Sequence, residues 1–306
     1  PFNIAGMAIT AALRGVGNTK ASLYMNFTAN IINVFFNYCL IYGNFGFPRL
    51  EVAGAAIATS LGFVVAFFLG LFILLRKHQY VYLSRKNKLL DWTVIKRMTR
   101  VGSPAMAEQL GMRIGQTIFT RVVSGLGTAA FAAHMVTINI ESLSFTTGQA
   151  FGVASTTFVG QNLGRERPDL AEEYARQTNR VGLVVAVLIG LLMFTFARPI
   201  VLMYNNEPDV VAMAVGVLTF VSITQPVQCS YFIQAASLRG AGDTRFTAMV
   251  LMLCVMILRP LFGILLVNVF GWGLIGAWIA ITAEQFVRCI LVTYRFRTGK
   301  WKEMRV

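Results

Sequence analysis

The chain has 306 residues, of which 56% are hydrophobic and only 13% are charged. Soluble domains carry about 25% charged residues, so this composition excludes an ordinary water-soluble protein and, with a mean hydropathy of +0.63, indicates an integral membrane protein. A net charge of +14 would suggest nucleic-acid binding in a soluble protein, but the membrane topology described below accounts for it, so we expect no nucleic-acid partner.

Apolar segments that can cross a hydrocarbon layer of about 30 Å follow one another along the chain. In chain order they are 1–13 (incomplete), 21–43, 52–76, 101–125, 134–160, 181–203, 210–237, 246–270 and 273–296. They lack the period-two alternation of strands, and every backbone polar group must be hydrogen-bonded inside a bilayer. The sequence therefore predicts an all-α polytopic membrane helix bundle.

Basic residues are concentrated in alternate loops. Together these loops hold 21 of the 27 Lys and Arg residues; they are 14–20, 76–100, 161–180, 238–245 and 295–306. The intervening loops hold only Arg49. The positive-inside rule then predicts a multi-pass protein of the cell membrane with the basic loops and the C-terminus in the cytoplasm.

A nine-residue motif occurs twice, as ALRGVGNTK at 12–20 and as SLRGAGDTR at 237–245. The copies lie 225 positions apart and both fall in basic loops, so they indicate parallel repeats, that is, two pseudo-symmetric lobes. The paired glycines permit positive φ, which is typical of a tight turn. The motif lacks the spacing of a phosphate-binding P-loop.

The repeat also suggests the domain organisation. We assign 1–76 to the remainder of an N-lobe, 77–100 to an inter-lobe linker, 101–298 to a C-lobe and 299–306 to a cytoplasmic tail. By symmetry about 130 residues would precede the first copy, so we expect an N-terminally truncated fragment with an incomplete N-lobe. In the linker, the spacing of the apolar residues favours a short helix on the membrane surface; these are Leu89, Leu90, Trp92, Ile95 and Met98.

Several motifs resemble those of multidrug and toxic compound extrusion (MATE) transporters over essentially the whole chain. They are GLGTAAFAAHMVTINIESLSFTTGQAFGVASTTFVGQNLG at 125–164, NYCLIYG at 37–43, both nine-residue motifs, and Pro104 four positions before Glu108. The resemblance implies two six-helix lobes, with this chain running from the fourth span to the twelfth. It also implies exchange of cationic or amphipathic compounds for H⁺ or Na⁺ by alternating access. No other cofactor is implied, and we expect a monomer surrounded by lipid.

Glu108 is the first candidate for cation coupling. It lies inside an apolar span one turn after Pro104, whose ring bends a helix. An ionisable residue within a span needs a functional or structural reason. The alternative is an ion pair with a basic neighbour such as Arg113 or Arg121. The resemblance supports the coupling role, since bacterial MATE transporters place a cation-coupling Glu on this span.

Glu141 is the second candidate, as a relay or a cavity-lining acid. It belongs to one helical face of polar and small residues, which must face a cavity or another helix rather than lipid. The face comprises His134, Thr137, Glu141, Ser144, Gly148, Gly152 and Ser155. His134 titrates in the physiological range when solvated, but it lies near the external interface, where a solvated His with no special role is ordinary, and we favour that interpretation.

An amide stripe runs along the span 21–43, where Asn26, Asn30, Asn33 and Asn37 recur at helical spacing. The stripe favours either hydrogen bonds between helices or a polar cation or substrate site. By resemblance, Asn33 and Asn37 match an Asn and an Asp of archaeal MATE transporters, and Thr59 matches a further polar member of that site.

A second polar wall lies around Pro226, where Gln225, Gln228, Tyr231 and Gln234 recur every third residue. We interpret them as lining a cavity for substrate. In the Na⁺-coupled branch of the family an Asp stands where Gln225 does here, so a two-carboxylate Na⁺ site is in doubt and H⁺ is at least as good a candidate.

The remaining intramembrane charges suggest structural roles. Glu284 and Arg288, one helical turn apart, can neutralise each other. Arg259 has no clear role beyond pairing with a carboxylate elsewhere in the lobe. The four cysteines all lie in apolar spans and indicate neither disulfides nor a metal site.

Two other functions compete with drug efflux. A lipid-linked oligosaccharide flippase of the same superfamily would favour a cationic cavity for pyrophosphate, whereas Glu108 and Glu141 favour cationic substrates. A membrane-embedded enzyme is not expected, because no metalloprotease, nucleophile-elbow or paired-aspartate motif is present. Neither the coupling ion nor the range of compounds can be read from the sequence.

Overall fold

A computed structural model describes residues 1–75 and 91–303, and this part of the chain is helical with short turns and no strand. The helices are α1 Phe2–Gly15, α2 Thr19–Tyr42, α3 Glu51–Leu75, α4 Trp92–Ser124, α5 Thr128–Gly164, α6 Pro168–Thr195, α7 Ala197–Leu202, α8 Pro208–Ser222, α9 Gln225–Gly240, α10 Thr244–Met252, α11 Arg259–Ile264 and α12 Gly273–Arg297. The all-α prediction is confirmed.

Membrane-crossing length and composition are found in several of these helices. α3, α6 and α12 are each long and apolar enough to cross a bilayer, and so is the continuous stretch Thr244–Val269, which joins α10 and α11. That stretch contains two π-helical segments, Leu253–Leu258 and Leu265–Val269. The apolar helices agree with the predicted multi-pass membrane protein.

One predicted span is broken. Residues 210–237 are not a single helix but the pair α8 and α9, which meet at a bend of 55°. Pro226 stands in the first turn of α9. A backbone N–H at this position would have no partner within the helix, so proline removes no helical hydrogen bond there. The bend directs the polar residues of α9 onto α5.

The chain divides into two compact units, Pro1–Asp91 and Trp92–Val306. In the first unit, α3 packs against α1 and α2, closely enough that a Cβ on Gly54 would lie 2.6 Å from the Leu40 carbonyl oxygen. In the second, α5 and α9 pack together at the centre and both contact α6. Of the predicted linker 77–100, residues 77–90, with Leu89 and Leu90, lie outside the described residues, whereas 92–100 are not a separate surface helix but the start of α4.

The two copies of the nine-residue motif form the same turn. In each copy the end of the helix is closed by a hydrogen bond from an amide to the carbonyl five residues earlier. Asn18 N–H donates to Leu13 O, and Asp243 N–H donates to Leu238 O, both at 2.9 Å. Only the second glycine of each pair has positive φ, +85° at Gly17 and +89° at Gly242. The first glycine of each pair is instead the last residue of its helix.

Candidate functional site

A cavity of about 390 Å³ lies in the second unit among α4, α5, α9 and α10. Its polar walls are made by side chains of three helices. These are Glu108 and Gln109 of α4, Gln149 and Thr156 of α5, and Tyr231 and Arg239 of α9. Phe232 and Met112 add apolar surface. The cavity therefore combines one acid, one base, neutral hydrogen-bonding groups and aromatic rings.

Glu108 is the acid of this cavity, and its side chain is only 9% exposed. Its partner is Arg239, whose Nη1 donates to Oε1 at 3.1 Å. The alternative of an ion pair with a basic neighbour therefore holds with a different partner, since Arg113 and Arg121 are exposed and neither forms an ion pair with a described residue. Pro104 lies within α4, one turn before the acid, as the sequence suggests.

Between Ser144 and Ser155, the predicted polar face of α5 packs against α9. The two helices run side by side in the same direction, with Ser144 bonded to Gln225 and Ser155 bonded to Ser237 at 2.7 Å. Gly152 permits this approach, because a Cβ there would lie 3.1 Å from Ala236 Cβ. All members of the face are buried.

Glu141 lies within this helix contact, outside the cavity of Glu108. Its Oε1 accepts a hydrogen bond of 3.0 Å from Gln228 Nε2, and both side chains are almost completely buried. Of the predicted polar wall, Tyr231 reaches the cavity, whereas Gln225 and Gln228 face α5. Gln234 donates to Ser230 Oγ of its own helix at 2.9 Å.

A charged cluster lies behind the cavity wall. Glu284 is fully buried between two arginines, with Oε2 2.6 Å from Arg259 Nη2 and Oε1 2.7 Å from Arg288 Nε. The Arg288 guanidinium also stacks on the Tyr231 ring, 4.3 Å from its centroid. The predicted pair of Glu284 with Arg288 is confirmed, and Arg259 acquires a role as the second cation of this cluster.

His134 is buried rather than solvated. It is 2% exposed and lies with its ring centroid 5.4 Å from that of Trp278 and 6.1 Å from that of Phe119. Its Nδ1 has no hydrogen-bond partner in the part of the chain that the structure describes. The interpretation of His134 as an ordinary interfacial side chain is therefore wrong.

In the first unit, the predicted amide site is a connected chain of hydrogen bonds. Asn37 Nδ2 donates to Asn33 Oδ1 at 2.9 Å, and Asn33 Nδ2 donates to Thr59 Oγ1 of α3 at 3.3 Å. Asn26 and Asn30 are exposed. This arrangement presents amide and hydroxyl groups without a carboxylate.

Arg239 is the partner of Glu108 that the sequence does not predict. In the sequence it is a basic residue of a turn, although a buried acid within a span requires a compensating charge. The separation of 131 positions from Glu108 hides the pair from any local pattern. As for metals, residues 1–75 and 91–303 contain no group of three His, Cys, Asp or Glu side chains placed to hold an ion.

Comparison with known proteins gives one family. The family model MatE matches residues 104–265. A probable multidrug resistance protein NorM of Thermotoga maritima is 28% identical over 297 residues, which is 97% of this chain and 64% of that protein. The multidrug resistance protein MdtK of Photorhabdus laumondii is 32% identical over 234 residues, 76% of this chain and 51% of that protein.

Solved structures share the fold. An outward-facing multidrug resistance MATE family transporter of the MOP superfamily superimposes with a TM-score of 0.87 at 18% identity, over 96% of this chain and 66% of the other. A MOP superfamily transporter from Pyrococcus furiosus gives the same TM-score at 19% identity over 96% of this chain and 65% of the other. The chain thus spans about two thirds of these relatives or less.

Proposed function

We propose, since the chain belongs to the MATE family of transporters, that it exchanges cationic or amphipathic compounds for H⁺ or Na⁺ across the cell membrane by alternating access. Membership of a transporter family agrees with the lack of enzyme motifs in the sequence. The observation that carries the proposal is the position of Glu108, a buried carboxylate in the wall of a cavity.

A carboxylate in this position is suited to bind a cation reversibly. Removing Glu108 from water is costly unless a positive charge or a proton compensates it. A single ion pair of 3.1 Å with Arg239 now does so, and a proton, Na⁺ or an organic cation can do the same. Two cations that bind the same carboxylate compete for it, and such competition is a basis for exchange.

The cavity wall favours organic cations over anions. Tyr231 and Phe232 line the same cavity as the acid, and aromatic rings attract positive charge as well as apolar surface. Met112, also in the wall, has a flexible side chain that adapts to varied shapes. These groups suit amphipathic compounds that carry a positive charge.

The other predicted site residues have supporting roles in this proposal. Glu141 and Gln228, with Gln225, keep α5 and α9 in register beside the cavity, and Glu141 is a second acid on which a proton can reside. Asn33, Asn37 and Thr59 supply neutral oxygen and nitrogen groups to a polar surface of the first unit. Gln234 contributes a polar group on α9, about one turn after Tyr231 in the chain.

The test is transport of an organic cation in inside-out membrane vesicles that contain the protein. Accumulation of a fluorescent organic cation is followed under an imposed proton gradient and then under a sodium gradient, for wild type and Glu108→Gln. We expect gradient-driven transport in wild type and its loss in the variant, and the effective gradient identifies the coupling ion.

A matched control is Glu207→Gln, which removes an exposed acid before α8 and should leave transport unchanged. No cation movement under either gradient would contradict the proposal and favour the flippase alternative. Normal transport by Glu108→Gln would show that Glu108 is only the structural partner of Arg239.

A further inference from the structure

We propose that Arg239 is a tethered competitor for the cation site: its guanidinium holds Glu108 until a substrate cation displaces it. This inference rests on the proposed cation site at Glu108. It assigns to the arginine of the nine-residue turn a role in setting cation affinity, beyond its role as a basic loop residue.

The geometry of the pair favours displacement. The Glu108 side chain is 9% exposed, whereas that of Arg239 is 32% exposed, so the arginine is the more solvated member of the pair. One guanidinium nitrogen contacts one carboxylate oxygen, although such pairs are often bidentate and then stronger. Both residues line the same cavity, so a cation that enters it can contact Glu108 in place of the partly solvated arginine.

The backbone under Arg239 restricts the exchange to a side-chain movement. Gly240 packs against α5, where a Cβ would lie 2.6 Å from the Thr156 carbonyl oxygen, and the next turn is closed by hydrogen bonds such as Gly242 N–H to Arg239 O at 3.0 Å. Rotation of an exposed side chain needs only picoseconds to nanoseconds. Arg239 can thus leave Glu108 without movement of α9.

The displaced guanidinium has a favourable place to go. Arg239 lies in the last turn of α9, where the helix dipole favours positive charge. Water at the exposed side of the residue can solvate the rest. The competition raises the apparent Kd of the cation, which equals the intrinsic Kd divided by the fraction of time that Glu108 is free of the arginine.

Arg14 provides the matched control within the same chain. It occupies the position of Arg239 in the first copy of the turn and forms no ion pair with any residue in the described ranges. Neutralising Arg14 removes the same charge from the same kind of turn. It does not release an acid.

The experiment measures the binding of tetraphenylphosphonium to the purified protein in detergent by isothermal titration calorimetry. A partly exposed ion pair contributes only a modest free energy, so we expect Arg239→Gln to bind tetraphenylphosphonium about fivefold more tightly than wild type. Glu108→Gln should weaken binding, and Glu108→Gln/Arg239→Gln should bind as weakly as Glu108→Gln alone. Arg14→Gln should bind like wild type.

A labelling experiment on the wild-type protein makes the inference independent of whether Arg239 variants fold. Phenylglyoxal reacts with accessible guanidinium groups, and the modified residue is identified by mass spectrometry. We expect saturating tetraphenylphosphonium to accelerate modification of Arg239 and to leave that of Arg14 unchanged.

The outcomes separate the two levels of the proposal. If Glu108→Gln weakens binding while Arg239→Gln binds no tighter and the ligand does not expose Arg239 to phenylglyoxal, the competitor role is wrong and the cation site stands. If Glu108→Gln has no effect on binding, the proposed cation site itself fails. Arg239→Lys, which keeps the charge, should stay within about twofold of wild type.

Discussion

The two copies of the nine-residue turn, 12–20 and 237–245, share a backbone and differ in what their side chains do. Each ends a helix with the same hydrogen bonds and the same left-handed glycine. In the second copy Arg239 pairs with Glu108 and Asp243 pairs with Arg295 Nε at 2.7 Å. In the first copy Arg14 has no acid within reach among the described residues, and Asn18 caps the next helix by accepting from Ala21 N–H.

This difference shows which part of a repeated motif depends on its surroundings. Local residues determine the turn, because glycine and the helix-end hydrogen bonds act within a few positions. The function of the arginine depends on whether a distant helix presents an acid. The same contrast extends to the units: the described part of the first has one ion pair, exposed Arg49 with Glu51, whereas the second buries several.

The largest expected effect comes from removing the most buried charge of the second unit. Glu284→Gln leaves Arg259 and Arg288 facing each other without an acid, and breaking a buried ion cluster costs about 3–5 kcal/mol. We expect this loss in the free energy of unfolding, measured in mixed detergent micelles. Glu51→Gln, in an exposed pair, should cost less than about 1 kcal/mol; equal losses would contradict the contrast between units.

The first glycine of each turn should respond differently to alanine. Gly240→Ala places a methyl group against the Thr156 carbonyl, and such overpacking costs about 1–3 kcal/mol. Among the described residues, no atom lies within 4 Å of a Cβ added to Gly15, so Gly15→Ala should leave stability unchanged or raise it by less than about 1 kcal/mol. Unfolding in micelles measures both variants. A destabilised Gly15→Ala would show that α1 has a neighbour at this position.

The seventh position of the motif is Asn18 in the first copy and Asp243 in the second, so each residue can be replaced by its counterpart. Asp243→Asn removes a mostly buried charge from Arg295, so we expect a loss of about 1–2 kcal/mol in unfolding free energy. Asn18→Asp should be neutral, since Asp and Asn cap helix N-termini equally well. Sensitivity of the Asp243 variant alone to salt concentration would confirm the ionic origin. Equal effects of both exchanges would show that the cap, and not the ion pair, matters.

The features that could be predicted from the sequence are those that depend on residues close together in the chain. Helix α2, Thr19–Tyr42, and helix α3, Glu51–Leu75, begin and end within two residues of the predicted spans, because apolar length and flanking turns are local properties. The amide contact of Asn33 with Asn37 is equally local. Family membership could also be predicted, because its motifs are contiguous.

The partners across helices could not be predicted. The ion pair of Glu108 joins residues 131 positions apart, and Gln225 meets Ser144 only because α8 and α9 bend by 55°. Spacing along one helix shows which residues share a face. It does not show whether that face meets a cavity, as Tyr231 does, or another helix, as Gln228 does.

The smallest expected difference concerns the left-handed glycines, where the two turns should behave alike. Gly17→Ala and Gly242→Ala each force a Cβ into positive φ, which costs roughly 1 kcal/mol. The amides of Asn18 and Asp243, which close the two turns, should therefore exchange with deuterium about fivefold faster in the respective variants. Hydrogen exchange measured by mass spectrometry on peptides that span each turn tests this locally. If the ion pairs of Arg239 and Asp243 hold the second turn closed, only the Asn18 amide in the first turn will exchange faster. That result would contradict the view that the backbone of each turn closes independently of its side chains.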